Sequence, residues 1–449
     1  MTDETSRYDR LVLGWGPESQ EKVSKSIVTV VTDGYLGKYS ASYLASAGFG
    51  NIRIVSGERL RKGERFLWGI ELNDEGQAKS YSQALMKLNP QIRAVGIGGN
   101  LDNDFAMGQI KRSDVIVDVT NSPRSKAWSL SAADKYGVPA VSASCSRRKA
   151  KLMVFDPRKQ GLEENVKKEF MMGDFSRVKQ DELTALGWAG VVDEEVKKFI
   201  LGEDKLLDRI LEYEFSYRPA ARKFRQYKAL VIGAGSAGNK AIPALAKMGF
   251  GRIDVVDMDK IETSNYPRTE YFVDRDGDLK VEVIMEQMRK IYPRTKFRAL
   301  FGEFNSEFES GVRYDVVLDL VDNDYSRGEV YKYAMEHGSV HLSVGIGFSG
   351  YNTALAIPGK TACMEHCYPG FMEQAAADLE MIRYGCERNI PSNSWMQGGT
   401  LFGVLHIPTA FFPESGDILN GSLYYDANMG SRIAELKVKK VCSCWGGKD

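Results

Sequence analysis

The chain has 449 residues, enough for two or three domains that each bury a core of their own. Its 60 basic and 60 acidic residues balance, which gives no electrostatic reason to expect nucleic-acid binding. No apolar run approaches the ~20 residues of a membrane span, and the first ten residues do not resemble a signal peptide. Six cysteines in a chain of this length are typical of the reducing cytoplasm. We therefore expect a cytoplasmic protein that binds neither nucleic acid nor membrane.

The first half alternates between short apolar runs and helical stretches. The runs are rich in β-branched residues and bounded by Gly, Asn or Pro, as in buried parallel strands: SIVTVV, NIRIVS, IRAVGI, DVIVDV and PAVSAS. Helical stretches such as KYSASYLASAGF and QAKSYSQALMKLNP lie between them. This alternation predicts an α/β fold with a doubly wound, Rossmann-like sheet.

Residues 157–225 differ in composition from both flanking segments. They are rich in Lys, Glu and Leu, and apolar residues recur at intervals of three and four. We predict a helical connector here, which also offers a docking surface for a peptide. It would separate a first domain over residues 1–156 from a second domain over residues 226–449.

The second half repeats the first at an offset of 201 residues. Its predicted strands are KALVIGAG, RIDVVDMD, FRALFGEF, DVVLDLVD and SVHLSVG. Beyond residue 345 it adds SGYNTALAI and GSLYYDAN, which read as strands, and MQGGTLFGVLHIPTAFF, which reads as a buried helix. The sequence therefore predicts two Rossmann-like domains in tandem.

A candidate nucleotide site lies in the second half. GAGSAG follows a strand and opens a helix, which can bring backbone N–H groups close to an anion, although a tight turn without ligand has the same pattern. Carboxylates after the next strand can accept hydrogen bonds from ribose hydroxyls. Basic and amide side chains further on suit phosphate oxygens, and a later carboxylate suits Mg²⁺. The candidate set is Gly233, Gly235, Ser236, Gly238, Asp257, Asp259, Asn265, Arg268, Lys280, Asp322 and Asn323.

The same offset finds a degenerate counterpart in the first half. Thr32 stands at the place of Gly233, and Tyr35 follows in the loop, where side chains occupy space that glycine leaves open. The charged residues are also replaced. Ser56 occupies the position of Asp257, Leu67 that of Arg268 and Asn121 that of Asp322. Lys79, by contrast, matches Lys280. We therefore expect the first half to bind no nucleotide.

Taken together, GAGSAG, DMDKIETSNYPR, GDLK, LVDND and Arg327 resemble the ThiF/MoeB-like adenylating enzymes, which include the ubiquitin-activating enzymes. RYDRLVLGWGPESQEK near the start is similar to the usual start of such domains, so the resemblance covers nearly the whole chain. It implies ATP and Mg²⁺, the latter held by Asp322, with Arg268 and Lys280 acting on the phosphates. Ser236 departs from the usual Gly or Ala but is small.

The resemblance also implies a dimer-like pairing of the two halves within one chain. In the family an arginine from the N-terminal segment of one partner reaches the ATP of the other. Arg10 matches that arginine, and the second half has no such segment before its first strand. Arg10 is therefore a candidate catalytic residue at the second half's site. Pairing of two whole chains into a homodimer stays open.

Relatives in this family often hold a structural zinc ion with two CxxC pairs. Here the corresponding segments carry Cys363 and Cys367, and Cys442 and Cys444, with the unusual spacings CxxxC and CxC. Four thiolates, or three with His366, would suit a tetrahedral zinc site. The other reading is a lost site with buried thiols.

Cys386 stands where several relatives keep a nucleophilic cysteine that takes the activated acyl group. Arg383 and Arg388 nearby would favour its thiolate. Other relatives, including the peptide-modifying microcin-type enzymes, adenylate without a catalytic cysteine. Cys145 in the degenerate half reads as a core residue.

We predict an ATP-dependent adenylyltransferase that joins AMP to a carboxylate, followed by attack of a nucleophile. The substrate would be the C-terminus of a ubiquitin-like protein or, alternatively, a ribosomally made precursor peptide activated for amide, amidine or ring formation. Two other classes compete. A non-catalytic scaffold that presents a peptide would not need a complete set of phosphate-binding and metal-binding residues. In an NAD-dependent oxidoreductase, Asn265, Arg268 and Asp322 would have no role.

Overall fold

The structure is a computed structural model. It describes residues 7–60, 65–66, 70–72, 76–99, 104–159, 161, 175, 178–216, 218, 220–383 and 395–438. The chain divides into two compact units. Unit 1 comprises Met1–Phe215, Pro391–Gly398 and Asp426–Arg432, and unit 2 comprises Ser216–Ile390, Gly399–Tyr425 and Ile433–Asp449. Within the described ranges no helix is long and apolar enough to cross a membrane.

Unit 1 is a layered α/β structure around one mixed sheet. Its helices are α1 (Asp9–Trp15), α2 (Pro17–Lys25), α3 (Tyr35–Ser46), α4 (Gln77–Leu88), α5 (Asp104–Ile110), α6 (Pro123–Tyr136) and α7 (Glu182–Leu201). Its strands are β1 (Ile27–Val31), β2 (Asn51–Ser56), β3 (Arg65–Phe66), β4 (Ile70–Glu71), β5 (Arg93–Gly98), β6 (Val115–Asp118), β7 (Ala140–Cys145), β8 (Lys149–Phe155) and β9 (Leu211–Glu214).

The main sheet of unit 1 has the order β5-β2-β1-β6-β7-β8-β9. The first five strands run parallel, and β8 and β9 continue antiparallel. Strand β6 is buried along its whole length, because β-branched residues fill both faces of a sheet that helices cover. The predicted strands of the first half are confirmed.

Helix α7 comes from the segment for which the sequence predicts a connector, and it packs within unit 1. It begins after Asp181, whose side chain caps the Thr184 N–H, and ends at Gly202 with φ +75°. Residues Glu182 to Lys198 are buried, and the helix lies against α3. A helix buried on all sides belongs to a core, so unit 1 reaches Phe215, well beyond residue 156.

Unit 1 also takes in two short segments from late in the chain. The Trp395 indole N–H donates to Glu194 of α7 over 2.8 Å, and its ring lies 5.6 Å from that of Trp15. Lys198 of α7 donates to the Ser431 hydroxyl over 2.9 Å. The buried charges of α7 are therefore satisfied partly by residues about two hundred positions later.

Unit 2 repeats the architecture and extends it. Its helices are α8 (Ser236–Met248), α9 (Lys280–Ile291), α10 (Asp324–Glu336), α11 (Met364–Cys367), α12 (Phe371–Arg383), α13 (Thr400–Val404) and α14 (Pro408–Phe411). Its strands are β10 (Lys228–Ile232), β11 (Arg252–Asp257), β12 (Lys296–Phe301), β13 (Val316–Asp319), β14 (Val340–Ile346), β15 (Gly350–Ala356), β16 (Gly421–Asp426) and β17 (Arg432–Lys437). Short 3₁₀ turns lie at Ala221–Phe224, Thr263–Arg268, Met396–Gly399 and Pro413–Ser415.

The sheet of unit 2 has the order β12-β11-β10-β13-β14-β15-β16-β17. The first five strands are parallel, as in unit 1, and β15 returns antiparallel. The additional strands SGYNTALAI and GSLYYDAN are confirmed as β15 and β16. The single buried helix predicted over residues 396–412 is wrong, because Pro408 offers no N–H and the chain forms separate short helices instead.

Strand register shows the duplication directly. Val28 pairs with Val115 in unit 1, and Ala229 pairs with Val316 in unit 2, each residue 201 positions after its counterpart. Asn51 pairs with Arg93, whereas Arg252 pairs with Lys296, which is 203 positions after Arg93. The second copy therefore has two additional residues between its second and third sheet strands, and the fold is two Rossmann-like domains in tandem.

Candidate active site

The glycine loop of unit 2 connects β10 to α8. Gly233 has φ +103°, and a Cβ there would lie 2.7 Å from the Leu320 carbonyl oxygen. A Cβ on Gly238 would lie 2.4 Å from the Gly233 carbonyl oxygen. Both glycines are thus required by backbone packing. Gly235 differs, since a Cβ there would have no neighbouring atom within 4 Å, so the loop faces open space at this residue.

The N-terminus of α8 faces the same open space. Gly235 is its N-cap and provides no side-chain hydrogen bond to the first turn, which begins at Ser236. The first N–H groups of a helix lack intrahelical partners and carry a partial positive charge. The arrangement therefore offers backbone donors to an anion placed beside Gly235.

Asp257 fixes the loop to the end of β11. One carboxylate oxygen accepts the Ala234 N–H over 2.7 Å, and the other accepts the Asp259 N–H over 2.8 Å. Burial raises the pKa of Asp257 above its ordinary value, while Lys280 and the two N–H groups oppose this shift. The carboxylate keeps lone pairs that can accept hydrogen bonds from hydroxyl groups of a ligand.

Lys280 stands at the first position of α9. Its Nζ lies 2.7 Å from the Asp259 carboxylate, and its N–H donates to the Asp259 carbonyl over 3.1 Å. The side chain of Asp259 is 56% exposed. Ion pairs with an exposed partner contribute little to stability, so an incoming anion can take the ammonium group at small cost.

Asn265 and Arg268 lie in the 3₁₀ turn Thr263–Arg268. Asn265 is buried, and its side chain accepts the Glu262 N–H over 3.2 Å in a capping box. This contact sets the turn that carries Arg268, which is half-buried. The structure thus gives Asn265 a role in holding the backbone beside the site.

Asp322 and Asn323 follow β13, which pairs with β10 on the side opposite β11. The carboxyl ends of these parallel strands meet at one edge of the sheet, at the crossover point where ligands bind in such folds. Asp322 is exposed there. The Asn323 side chain instead caps α10 by accepting the Ser326 N–H over 2.8 Å, so its position is fixed by the helix.

A buried network supports the loop that carries Asp322, and of its residues Arg327 was named in the sequence analysis but its partners were not. Arg327 donates to the Asp319 carboxylate and to the carbonyls of Val321 and Val344, and Ser343 donates to Asp319 over 2.8 Å. Unit 1 has the equivalent network at the same offset, where Lys126 donates to the Asp118 carbonyl, the Ser142 hydroxyl and the Ala143 carbonyl. Because the degenerate copy keeps it, we assign this network to positioning. The signal in the sequence was a polar triad repeated 201 residues apart.

The first copy has lost the lysine as well, contrary to the match with Lys79. Gln77 N–H donates to the Glu58 carbonyl over 3.1 Å, which is the contact that Lys280 makes to Asp259 in unit 2. Gln77 therefore takes the place of Lys280, and its side chain accepts from the Ser56 hydroxyl over 2.8 Å. The two-residue difference in loop length explains why a fixed offset selected the wrong residue.

Gln180 fills the anion position of the first copy. The Leu36 N–H at the start of α3 donates to Gln180 Oε1 over 2.7 Å, and a Cβ on Gly34 would lie 2.9 Å from that oxygen. Gln180 Nε2 donates to the Val119 carbonyl and to Asp33. Asn121 uses its amide on the Cys145 and Val178 carbonyls. These contacts fill the phosphate position and so favour the expectation that the first half binds no nucleotide.

The remaining candidates are Arg10 and the cysteines. Arg10 is half-buried in α1 of unit 1. Cys145 is confirmed as a core residue, since it is buried in β7 and burial raises the pKa of its thiol. Cys386, Cys442 and Cys444 lie outside the described residues, so the covalent role of Cys386 stays a prediction.

Cys363 and Cys367 lie at the two ends of one helical turn in unit 2. The Cys363 sulfur is 3.1 Å from His366 Nδ1. Burial, and secondly the neighbouring Cys363, raises the pKa of the Cys367 thiol to about 11. Among the described residues no three His, Cys, Asp or Glu side chains group around a metal position, so a zinc site stays a prediction.

Comparison with known sequences places these two sites in a family. The sequence profile of the ThiF family matches residues 8–218 and, separately, residues 207–384. The chain belongs to the ThiF family. The second ThiF match contains the charged set of unit 2, and the first contains its degenerate counterpart.

Curated ThiF relatives match parts of the chain. Ubiquitin-like modifier-activating enzyme 5 of Gallus gallus is 27% identical over 198 residues, which are 40% of this chain and 49% of that protein. The adenylyltransferase and sulfurtransferase UBA4 of Kluyveromyces lactis is 35% identical over 162 residues, 34% of this chain and 36% of that protein. The chain thus spans half or less of the length of these relatives.

Among solved structures, E. coli MccB with MccA-N7isoASN superimposes with a TM-score of 0.43 and 19% identity, covering 51% of this chain and 69% of that one. A similarity of this size does not bear on function. Functional inference therefore rests on the chain's own residues and its ThiF membership.

Proposed function

We propose that unit 2 catalyses ATP-dependent adenylation of a carboxylate and that unit 1 has no such activity. One observation carries this: the two copies share a fold and register, but only unit 2 combines Gly233, Asp257, Lys280 and Asp322 at the carboxyl edge of its sheet. In unit 1 the corresponding residues are Thr32, Ser56, Gln77 and Asn121. A fold kept only for peptide binding gives no reason for this combination of residues to occur in one copy and not in the other.

The residues of unit 2 fit ATP. The open space beside Gly235 and the first turn of α8 suit the phosphates, and Asp257 suits the ribose hydroxyls. Mg²⁺ is commonly held by one or two carboxylates together with substrate phosphates. Asp322 is an exposed carboxylate at the carboxyl edge of the sheet and would hold the ion. When bound, the ion would neutralise phosphate charge.

The reaction needs alignment and charge neutralisation more than proton transfer. A carboxylate oxygen of the substrate attacks the α-phosphorus of ATP, the bond to the bridging oxygen breaks, and pyrophosphate leaves with the electron pair. Lys280 exchanges Asp259 for the phosphate oxygens, and Arg268 adds a second cation. The product is an acyl-adenylate, which a nucleophile then attacks.

The proposed substrate is the C-terminus of a ubiquitin-like protein or the carboxylate of a peptide. The name of the Gallus gallus relative, a ubiquitin-like modifier-activating enzyme, supports the first class. A precursor peptide would present the same carboxylate chemistry, and the acceptor would then be an amine or amide of that peptide.

Mg-ATP binding tests the proposal first. Calorimetric titration should find one ATP site per chain in the wild type, and Asp322→Ala should weaken it at least ten-fold, about 1.4 kcal/mol. Glu309→Ala, which removes an exposed carboxylate elsewhere in unit 2, is the control and should bind like the wild type. Equal weakening by both variants, or two equivalent sites, would contradict a single working centre.

The glycine loop provides a second test, because two of its glycines differ in their surroundings. Gly238→Ala would press a Cβ against backbone at 2.4 Å and should lower the free energy of unfolding by about 1–3 kcal/mol. Gly235→Ala enters open space, so thermal unfolding should be unchanged while Mg-ATP affinity falls at least ten-fold. Wild-type ATP affinity in Gly235→Ala would argue against phosphate binding at this loop.

We further propose that Arg10 acts at the ATP site of unit 2, on the basis of the RYDR segment that only the first copy has. Arg10→Ala should then lower the adenylation rate at least ten-fold, taking ~1.4 kcal/mol per decade. Arg7→Ala makes an unsuitable control, since the Arg7 guanidinium donates to the buried Leu88 carbonyl. Lys22→Ala in α2 removes an exposed charge instead, and an Arg10→Ala rate equal to that control would refute the proposal.

A further inference from the structure

Unit 1 has a cavity of about 210 Å³ at the carboxyl edge of its own sheet. The ends of β1 and β2 and the first turns of α6 line it, which places it at the crossover point between β1 and β6. This is where α/β sheets bind ligands. The volume is below the ~300–1,000 Å³ of drug-sized ligand sites, so the cavity suits a small ligand of which part stays exposed.

The part of this region that would take phosphates is closed. Gln180 Oε1 already accepts the Leu36 N–H at the start of α3, and Gln77 stands where unit 2 has Lys280. A ligand of the cavity therefore gains nothing from phosphate groups. What remains is the space that would correspond to a nucleoside.

The hydrogen bonds that the lining hydroxyl groups already make show which groups of a ligand they can bind. The hydroxyl of Ser56 donates to Gln77, and those of Thr120 and Ser125 donate to the Asp118 carboxylate over 2.7 and 3.0 Å. A hydroxyl has only one proton. Each of these groups can therefore offer only lone pairs to a ligand in the cavity, so the lining is rich in acceptors.

The charged residues of the lining also favour a ligand that donates hydrogen bonds. Asp33 and Glu58 carry carboxylates, and Arg124 carries the opposing charge. The pKa of Asp33 is raised to about 6, mainly by burial and also by the charges of Asp118 and Glu58, while the Asn121 N–H and Lys126 oppose this shift. The two carboxylates outnumber the one guanidinium, so the lining disfavours anions. Trp128, 39% exposed, presents an aromatic surface at the rim.

We propose that this cavity binds an uncharged nucleoside of the adenosine type, without phosphate. Its sugar hydroxyls and amino group are donors, which the acceptor-rich lining and the Glu58 carboxylate can satisfy, and its base can stack on Trp128. Adenosine binding by unit 1 would be separate from catalysis by unit 2. It would give the degenerate copy a ligand that lacks the groups the active copy handles.

Calorimetry on the full-length chain tests this with adenosine, AMP and Mg-ATP as probes. Asp257→Ala should abolish Mg-ATP binding at unit 2 and leave one adenosine site. Trp128→Ala should weaken that adenosine site at least ten-fold and leave Mg-ATP binding unchanged, whereas Trp128→Phe should retain most of the affinity. AMP should bind unit 1 at least ten-fold more weakly than adenosine.

Three results would overturn the assignment. Adenosine binding that disappears in Asp257→Ala but persists in Trp128→Ala would place adenosine in unit 2. AMP bound by unit 1 as tightly as adenosine would contradict the acceptor-rich lining. Absence of adenosine binding in the wild type would refute it outright. Because Trp128 is partly exposed, its variants should fold. The comparison of Trp128→Ala with Trp128→Phe therefore tests the proposal even if Asp257→Ala does not fold.

Discussion

Replacing Lys280 by alanine is expected to slow ATP–pyrophosphate exchange about 10²–10³-fold, the usual effect of removing one preorganised charge partner of a transition state. Lys280 stands at the first position of α9, and its ammonium group pairs with the exposed carboxylate of Asp259, which follows β11. Its side chain is 12% exposed, and an ion pair with a partner that is 56% exposed adds little to stability. Thermal unfolding should therefore be nearly unchanged. Exchange would be measured with each carboxylate substrate that supports it in the wild type.

The duplication supplies the matched control for this experiment. Lys79→Ala removes an exposed lysine from α4, the helix of unit 1 equivalent to α9, and exchange should stay at the wild-type rate. A further variant, Gln77→Lys, would restore a lysine at the equivalent position of unit 1. It should not create a second ATP site, because Gln180 still fills the anion position. A Lys280→Ala rate within three-fold of wild type would exclude the proposed role of this residue.

Glu270→Ala is expected to destabilise unit 2 by about 3–5 kcal/mol, the cost of leaving one partner of a buried ion pair alone. Lys240 in α8 and Glu270 form this pair, with side chains 1% and 6% exposed. Burial already lowers the pKa of Lys240 well below its ordinary value. Without the carboxylate, the lysine must either deprotonate or draw water into the core. Urea unfolding of wild type and variant would measure the difference.

An exposed pair in the same unit provides the contrast. Glu286 and Lys290 lie one turn apart on α9, with side chains 46% and 60% exposed, and Glu286→Ala should cost less than about 1 kcal/mol. The double variant Lys240→Met/Glu270→Leu replaces the buried pair by apolar side chains and should recover most of the stability. A Glu270→Ala loss of the same size as that of Glu286→Ala would show that the Lys240 charge finds another partner.

Local features of this chain were predictable from its sequence. Strands such as β1 and β10 follow from short β-branched runs, and Gly233 follows from a turn that requires positive φ. Asp257 could be placed because the end of a parallel strand fixes its position at the sheet edge. These predictions depend on residues that lie within one strand–turn–helix unit.

Contacts between distant segments were not predictable in the same way. Gln180 reaches the Leu36 N–H across 144 residues, and no local pattern distinguishes it from other glutamines. Gln77 was missed because a two-residue difference in loop length shifts the alignment between the copies. The pairing of Lys240 with Glu270 joins a helix to a loop, and each residue alone reads as a surface charge.

Unit 1 is built from segments that lie far apart in the chain, and this affects how the protein folds during synthesis. Glu194 and Lys198 of α7 receive partners at Trp395 and Ser431. At the ~5–20 residues per second of translation, the ribosome needs roughly 10 to 50 s to proceed from α7 to Ser431. During that interval α7 holds buried charges that are not yet fully paired. Unit 1 should therefore stay incompletely packed until most of unit 2 has been made, and since the last segment of unit 2 follows that of unit 1, the two domains should complete their folding together.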